Sequence, residues 1–66
     1  MSREWRTGTI ELLPGYAFVD ADGHAVGRAE DVEFTLEGGF VNARLPGVPH
    51  TQVVSAPALR LITCTS

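Results

Sequence analysis

The chain has no lysine and only one cysteine, Cys64, and each scarcity closes off a class of protein. One cysteine excludes an intrachain disulfide. His24 and His50 stand far from each other and from Cys64, a spacing that fits no zinc site, so neither a metal nor a cofactor is expected. The basic residues are Arg3, Arg6, Arg28, Arg44 and Arg60, scattered along the chain, so no basic stripe is present to follow a phosphate backbone. No apolar run approaches the roughly 20 residues that a membrane-spanning helix needs. The opening Met-Ser-Arg-Glu-Trp-Arg also lacks the apolar stretch of a signal peptide. The expectation is a cytoplasmic or virion-associated protein with no membrane partner.

What is present is a single domain over residues 1–66, with 44% apolar residues and a net charge of -3. A chain this short buries only about 60% of the surface its unfolded form exposes. Without a disulfide or a metal it must rely on close packing or on a partner. Both termini are accordingly expected to be held down, as they would be inside a larger assembly.

Apolar residues recur at a spacing of two, the mark of strands. Ile10 and Leu12 alternate with Thr9 and Glu11 in a first strand over residues 4–13, which Pro14-Gly15 ends. Tyr16–Asp20 forms a second strand, and Asp22-Gly23 reads as a type I′ turn into a return strand over 24–29. Glu30-Asp31 breaks the pattern. Val32, Phe34 and Leu36 then share one face of a further strand, Gly38-Gly39 turns the chain, and Phe40–Leu45 returns. Pro46 to His50 is a loop, because two prolines and a glycine cannot pair within a central strand. A short strand over 51–55, one helical turn at Ala56-Pro57-Ala58 and a last strand over 59–65 complete the reading. The fold class predicted is all-β, a small five- to six-stranded barrel, since closure removes exposed sheet edges.

Two families of small barrel show resemblances. Gly8-Thr9-Ile10, Gly15-Tyr16-Ala17-Phe18-Val19 and Asp31-Val32-Glu33-Phe34 resemble the opening strand and the two binding strands of the cold-shock domain, an OB-like barrel. That resemblance implies single-stranded nucleic acid stacked on Tyr16 and Phe18. The chain departs from the family at Glu11, Leu12, Leu13, Glu33 and Thr35, which replace a basic, aromatic and histidine set. The ending Val53-Val54-Ser55-Ala56-Pro57-Ala58-Leu59-Arg60-Leu61-Ile62 is similar to the penultimate strand, helical turn and closing strand of an SH3-like barrel, a scaffold that implies no particular activity.

Candidate chemistry is sparse. Asp20, Asp22 and His24 recur at alternate positions, but calcium needs more oxygen ligands than they offer, and a polar hairpin tip explains them. His24 and Cys64 lack the third, orienting residue that a base–nucleophile pair requires. No enzyme is expected. Four aromatic residues, Trp5, Tyr16, Phe18 and Phe40, are the candidate binding residues, for a protein partner or for nucleic acid. If Ala17 and Val19 point inward, Tyr16 and Phe18 point outward; the opposite assignment makes them core. Alternation also places Phe40 opposite Val41, Ala43 and Leu45. The leading expectation is a non-enzymatic protein–protein interaction or assembly module, such as a minor structural component of a phage particle or other large complex. Its partners would be other protein subunits, in a homo- or hetero-oligomer. The alternative is a cold-shock-like single-strand binder.

Overall fold

The computed structural model describes residues 4–65. Seven strands follow in order among these residues: β1 (Arg6–Leu12), β2 (Phe18–Val19), β3 (Ala25–Val26), β4 (Arg28–Glu37), β5 (Phe40–Arg44), β6 (Gln52–Ser55) and β7 (Leu59–Cys64). A single 3-10 turn, Ala56–Ala58, separates the last two. The fold is all-β, as the apolar spacing predicts. Five strands form one antiparallel sheet in the order β6-β5-β4-β1-β7, and β2 and β3 form a separate small hairpin.

The long strand β4 holds this sheet together by pairing with β1 through Arg28 to Phe34 and with β5 through Glu33 to Glu37. Between Gly8↔Val32 and Ile10↔Ala29 its register with β1 slips by one residue, so Glu30 and Asp31 oppose Thr9 alone. Asp31 adopts φ 54°, in the left-handed region that non-glycine residues rarely enter. The break expected at Glu30-Asp31 is thus a β-bulge inside one continuous strand. Its effect is on side-chain parity. Ala29 and Val32, three residues apart, both face the core, which an unbulged strand would forbid.

Inward residues from β1, β2, β4 and β5, with Leu45, build one core: Ile10, Leu12, Phe18, Ala29, Val32, Phe34, Val41, Ala43 and Leu45. Val26, Val48, Val54, Leu59 and Ile62 pack at its margin. Phe18, fully buried, comes from the small hairpin and packs into this core. Burial of a side chain of this size contributes about 1.5–3 kcal/mol. The hairpin is tied down by a side chain rather than by a ladder. Gln52 on β6 donates from Nε2 to the Val19 carbonyl at 2.7 Å and accepts from the Val19 N–H at 2.8 Å. At the neck of the hairpin segment, the Leu12 N–H donates to the Gly27 carbonyl at 2.7 Å.

The turns differ from expectation in an instructive way. Both Gly38 and Gly39 take positive φ, 49° and 90°, as a type I′ turn requires, and they join Glu37 to Phe40. The Asp22-Gly23 turn is not of that type, because Gly23 alone has positive φ. Asp20 and His24 flank a three-residue loop in which the Gly23 N–H donates to the Asp20 carbonyl at 3.0 Å. The Asp20 carboxylate stabilises that loop, so the shorter turn loses its advantage.

The strands β6 and β7 are the two sheet edges and are not laddered to each other. The 3-10 turn links the regions beside them. The Ala56 N–H donates to the Gly39 carbonyl at 2.7 Å, and the Ala58 carbonyl accepts from the Leu13 N–H at 2.8 Å. At the C-terminal end, the Thr65 N–H donates to the Thr7 carbonyl at 2.8 Å, so the chain is docked as far as Thr65. The expectation of docked termini extends to residues 1–3 and 66, which lie outside the described residues. Among the described residues no helix is long and apolar enough to cross a membrane.

Candidate interaction surface

The four aromatic residues singled out by the sequence do not meet at one site. Phe18 is 0% exposed and belongs to the core, so it is withdrawn as a binding residue. Its pairing with Val26 turns the ring inward and leaves Val19 half exposed. Tyr16, 50% exposed, follows the Pro14-Gly15 turn on another part of the surface. The two rings expected side by side are thus separated by one residue in sequence and by the core boundary in space.

Trp5 and Phe40 do share a surface. On β5, Val41 and Ala43 are fully buried, which sends Phe40, Asn42 and Arg44 to the opposite face. The pairs Phe40↔Ser55 and Asn42↔Val53 put Val53 and Ser55 of β6 on that face too. The pairs Glu33↔Arg44, Thr35↔Asn42 and Glu37↔Phe40 add the outward residues of β4. Continuing the Arg6↔Phe34 register back by one residue sets Trp5 beside Thr35. The guanidinium of Arg44 stacks over the Trp5 ring, 4.2 Å from its centroid. Thr35 is buried although it belongs to this outer face, and its hydroxyl accepts from Asn42 Nδ2 at 3.1 Å.

The outcome is a shared outer surface on β4, β5 and β6. At one end a half-buried Trp5 is pinned by Arg44, and at the other Phe40 and Val53, 54% and 57% exposed, are diagonal neighbours. Val53 was missed as a site residue, because a Val-Val pair in a short strand does not show which valine faces out. Leu36 was expected to share the buried face with Val32 and Phe34, yet it is 65% exposed. Its parity is inward, but it lies at the end of β4, beyond the first residue of β1, and the described residues leave it exposed. Leu36 and Ile62 instead line two adjoining clefts, one of about 490 Å³ with Glu4, Arg6, Phe34, Thr35 and Cys64. The other, of about 360 Å³, runs along the Glu37–Phe40 turn to Leu59.

The polar candidates have local explanations. The ligand atoms of Asp20, Asp22 and His24 lie within 4.8 Å of one another. One Asp20 oxygen, however, accepts the N–H groups of both Asp22 and His24 at 2.9 Å, which is the work of a loop cap. His24 sits at that hairpin tip, whereas Cys64 lies at the end of β7 opposite Gly8. Arg28 bridges Glu11 and Glu30 at 3.3 Å each, and these exposed pairs contribute little. Comparison with family models, with curated proteins and with solved structures found no match.

Proposed function

We propose that this chain is a non-enzymatic protein-interaction module, a small SH3-like barrel that docks on other protein subunits of a larger complex. The observation that carries the reading is the outer face of β5 and β6, where Phe40 and Val53 stand together in solvent, with the Arg44–Trp5 stack at the other end of the same face. Aromatic, aliphatic and arginine side chains along one outer face are the residue types enriched at interfaces. The SH3-like reading is supported by the 3-10 turn between β6 and β7 and by its hydrogen bonds to both neighbouring turns. The chain is small and its one cysteine allows no intrachain disulfide, which favours packing against a partner.

Single-strand binding in the cold-shock manner is less well supported. It needs Tyr16 and Phe18 as neighbouring stacking rings, and Phe18 lies in the core.

The test is affinity capture from the source cells with two baits, the wild-type chain and the double variant Phe40→Ser, Val53→Ser. Both positions are outward, so the variant keeps its circular-dichroism spectrum and its melting transition. The reading expects a defined protein retained by the wild type and lost from the variant. Identical captures with the two baits, or none with either, refute it.

A further inference from the structure

We propose that β7 is a self-association edge, along which two copies of this chain pair antiparallel about a two-fold axis at Thr63. This rests on the interaction-module reading and names one partner for it: a second copy.

The two edges of the sheet are unlike. β6 is four residues long and is bounded by Pro49 before it and Pro57 after it, residues that cannot extend a ladder. β7 is six residues long, contains no proline and no acidic residue, and is apolar or threonine apart from Arg60 and Cys64. Such an edge is a template for another strand unless something blunts it.

The register specifies which groups are available. Thr65 bonds to Thr7, and the pairs Thr9↔Thr63 and Glu11↔Leu61 continue that phase, so Leu61, Thr63 and Thr65 turn their main-chain groups toward β1. Ile62 and Cys64 turn theirs the other way, where no strand of the described residues lies. Arg60 falls in the irregularity between Glu11↔Leu61 and Leu12↔Leu59 and drops out of the regular edge.

A second β7 laid antiparallel with Thr63 on the axis meets these groups in phase. Ile62 of each copy then bonds to Cys64 of the other, and the two Thr63 side chains face each other as a non-hydrogen-bonded pair. Leu61 falls opposite Thr65. No charge is present between Leu61 and Thr65, so the strand meets its copy without a like-charge contact. β7 itself carries no acidic residue, and Glu11, its neighbour on β1 opposite Leu61, lies within 4.0 Å of Arg60. The cleft beside β7, lined by Phe34, Leu36 and Ile62 together with Glu4 and Arg6, lies next to this edge in each copy.

Light scattering during gel filtration of the full chain, at micromolar concentration and above, tests the association. The wild type is expected to run as a dimer. Thr63→Lys, an exposed position that would set like charges across the axis, is expected to be a folded monomer with an unchanged circular-dichroism spectrum. The register is read from Thr63→Cys in a Cys64→Ser background. Facing cysteines at a non-hydrogen-bonded pair have Cα atoms about 4.5 Å apart, within disulfide reach. Mild oxidation should therefore give a covalent dimer, and Leu61→Cys in the same background should not. A monomeric wild type, a dimeric Thr63→Lys, or equal cross-linking at 61 and 63 overturns the proposal. The capture experiment with Phe40 and Val53 is unaffected by any of these outcomes, so the two readings fail separately.

Discussion

Gly8 is the position where one added carbon should cost the most. It is buried in the middle of β1, between β4 and β7, and is paired with Cys64. A Cβ built there would collide with the Thr63 carbonyl oxygen, with the Thr63 carbonyl carbon at 3.0 Å and the Cys64 Cα at 3.1 Å. All three are main-chain atoms held by the β1–β7 ladder, so relief requires β7 itself to move. Replacing a glycine with alanine normally stabilises by about 0.4–1 kcal/mol, by narrowing the unfolded ensemble. Overpacking against a rigid neighbour costs about 1–3 kcal/mol and opposes that gain. With backbone as the obstacle the upper end applies, and the net loss for Gly8→Ala is about 2 kcal/mol. At about 4–8 °C per kcal/mol for a domain of this size, Tm falls by roughly 8–16 °C. Gly27 is the internal control, because a Cβ there meets nothing within 4 Å and no positive φ opposes it. Gly27→Ala should leave Tm unchanged or raise it by a few degrees. Far-ultraviolet circular dichroism during heating, repeated as urea titrations, measures both. A Gly8→Ala variant as stable as wild type, or a Gly27→Ala variant equally damaged, would refute the packing argument.

Three further outcomes follow from the same geometry. Phe18→Ala should lose about 3–5 kcal/mol, enough to unfold so small a domain near room temperature, whereas Tyr16→Ala should change the urea midpoint little. Gln52→Ala removes both bonds to Val19 and should cost about 1–2 kcal/mol, with faster amide exchange confined to the β2–β3 hairpin; uniform acceleration across the sheet would contradict that local role. Asp31→Gly should be neutral or stabilising, and Asp31→Val should cost about 1–2 kcal/mol, because the bulge demands positive φ; thermal melts showing the reverse order would remove the bulge as the explanation.

Much of the fold was legible because alternation and turn chemistry agree over long stretches. Val41 and Ala43 mark the buried face of β5 without ambiguity, so the outward position of Phe40 followed from parity alone. The same logic failed where the strand is too short to fix its own phase. Tyr16 to Val19 is apolar on both sides, and the burial of Phe18 is decided by the cavity it fills, which no local pattern encodes. Leu36 failed for a different reason: parity states which way a side chain points, not whether anything lies there to cover it. The bulge at Glu30-Asp31 was visible as an interruption, but its role in resetting the phase between Ala29 and Val32 depends on the partner strand. The Gln52 clamp left no trace, since a glutamine in a strand carries no signal of the backbone it will grip.

That clamp makes the segment between β1 and β4 a cassette. Its two ends meet at the Leu12–Gly27 hydrogen bond, so the rest of the sheet closes without help from the residues between. Beyond that neck, the contacts that hold the cassette in place include the Phe18 ring in the core, Val26 at its margin, the Leu13 N–H on the Ala58 carbonyl and the Gln52 side chain at Val19. A different insert that returned to the same neck, carried one large apolar side chain and offered one free backbone amide and carbonyl to Gln52 would satisfy the scaffold equally well. This makes the segment the natural place to graft a recognition loop, and the place where divergent copies of the chain would be free to differ most in length and chemistry.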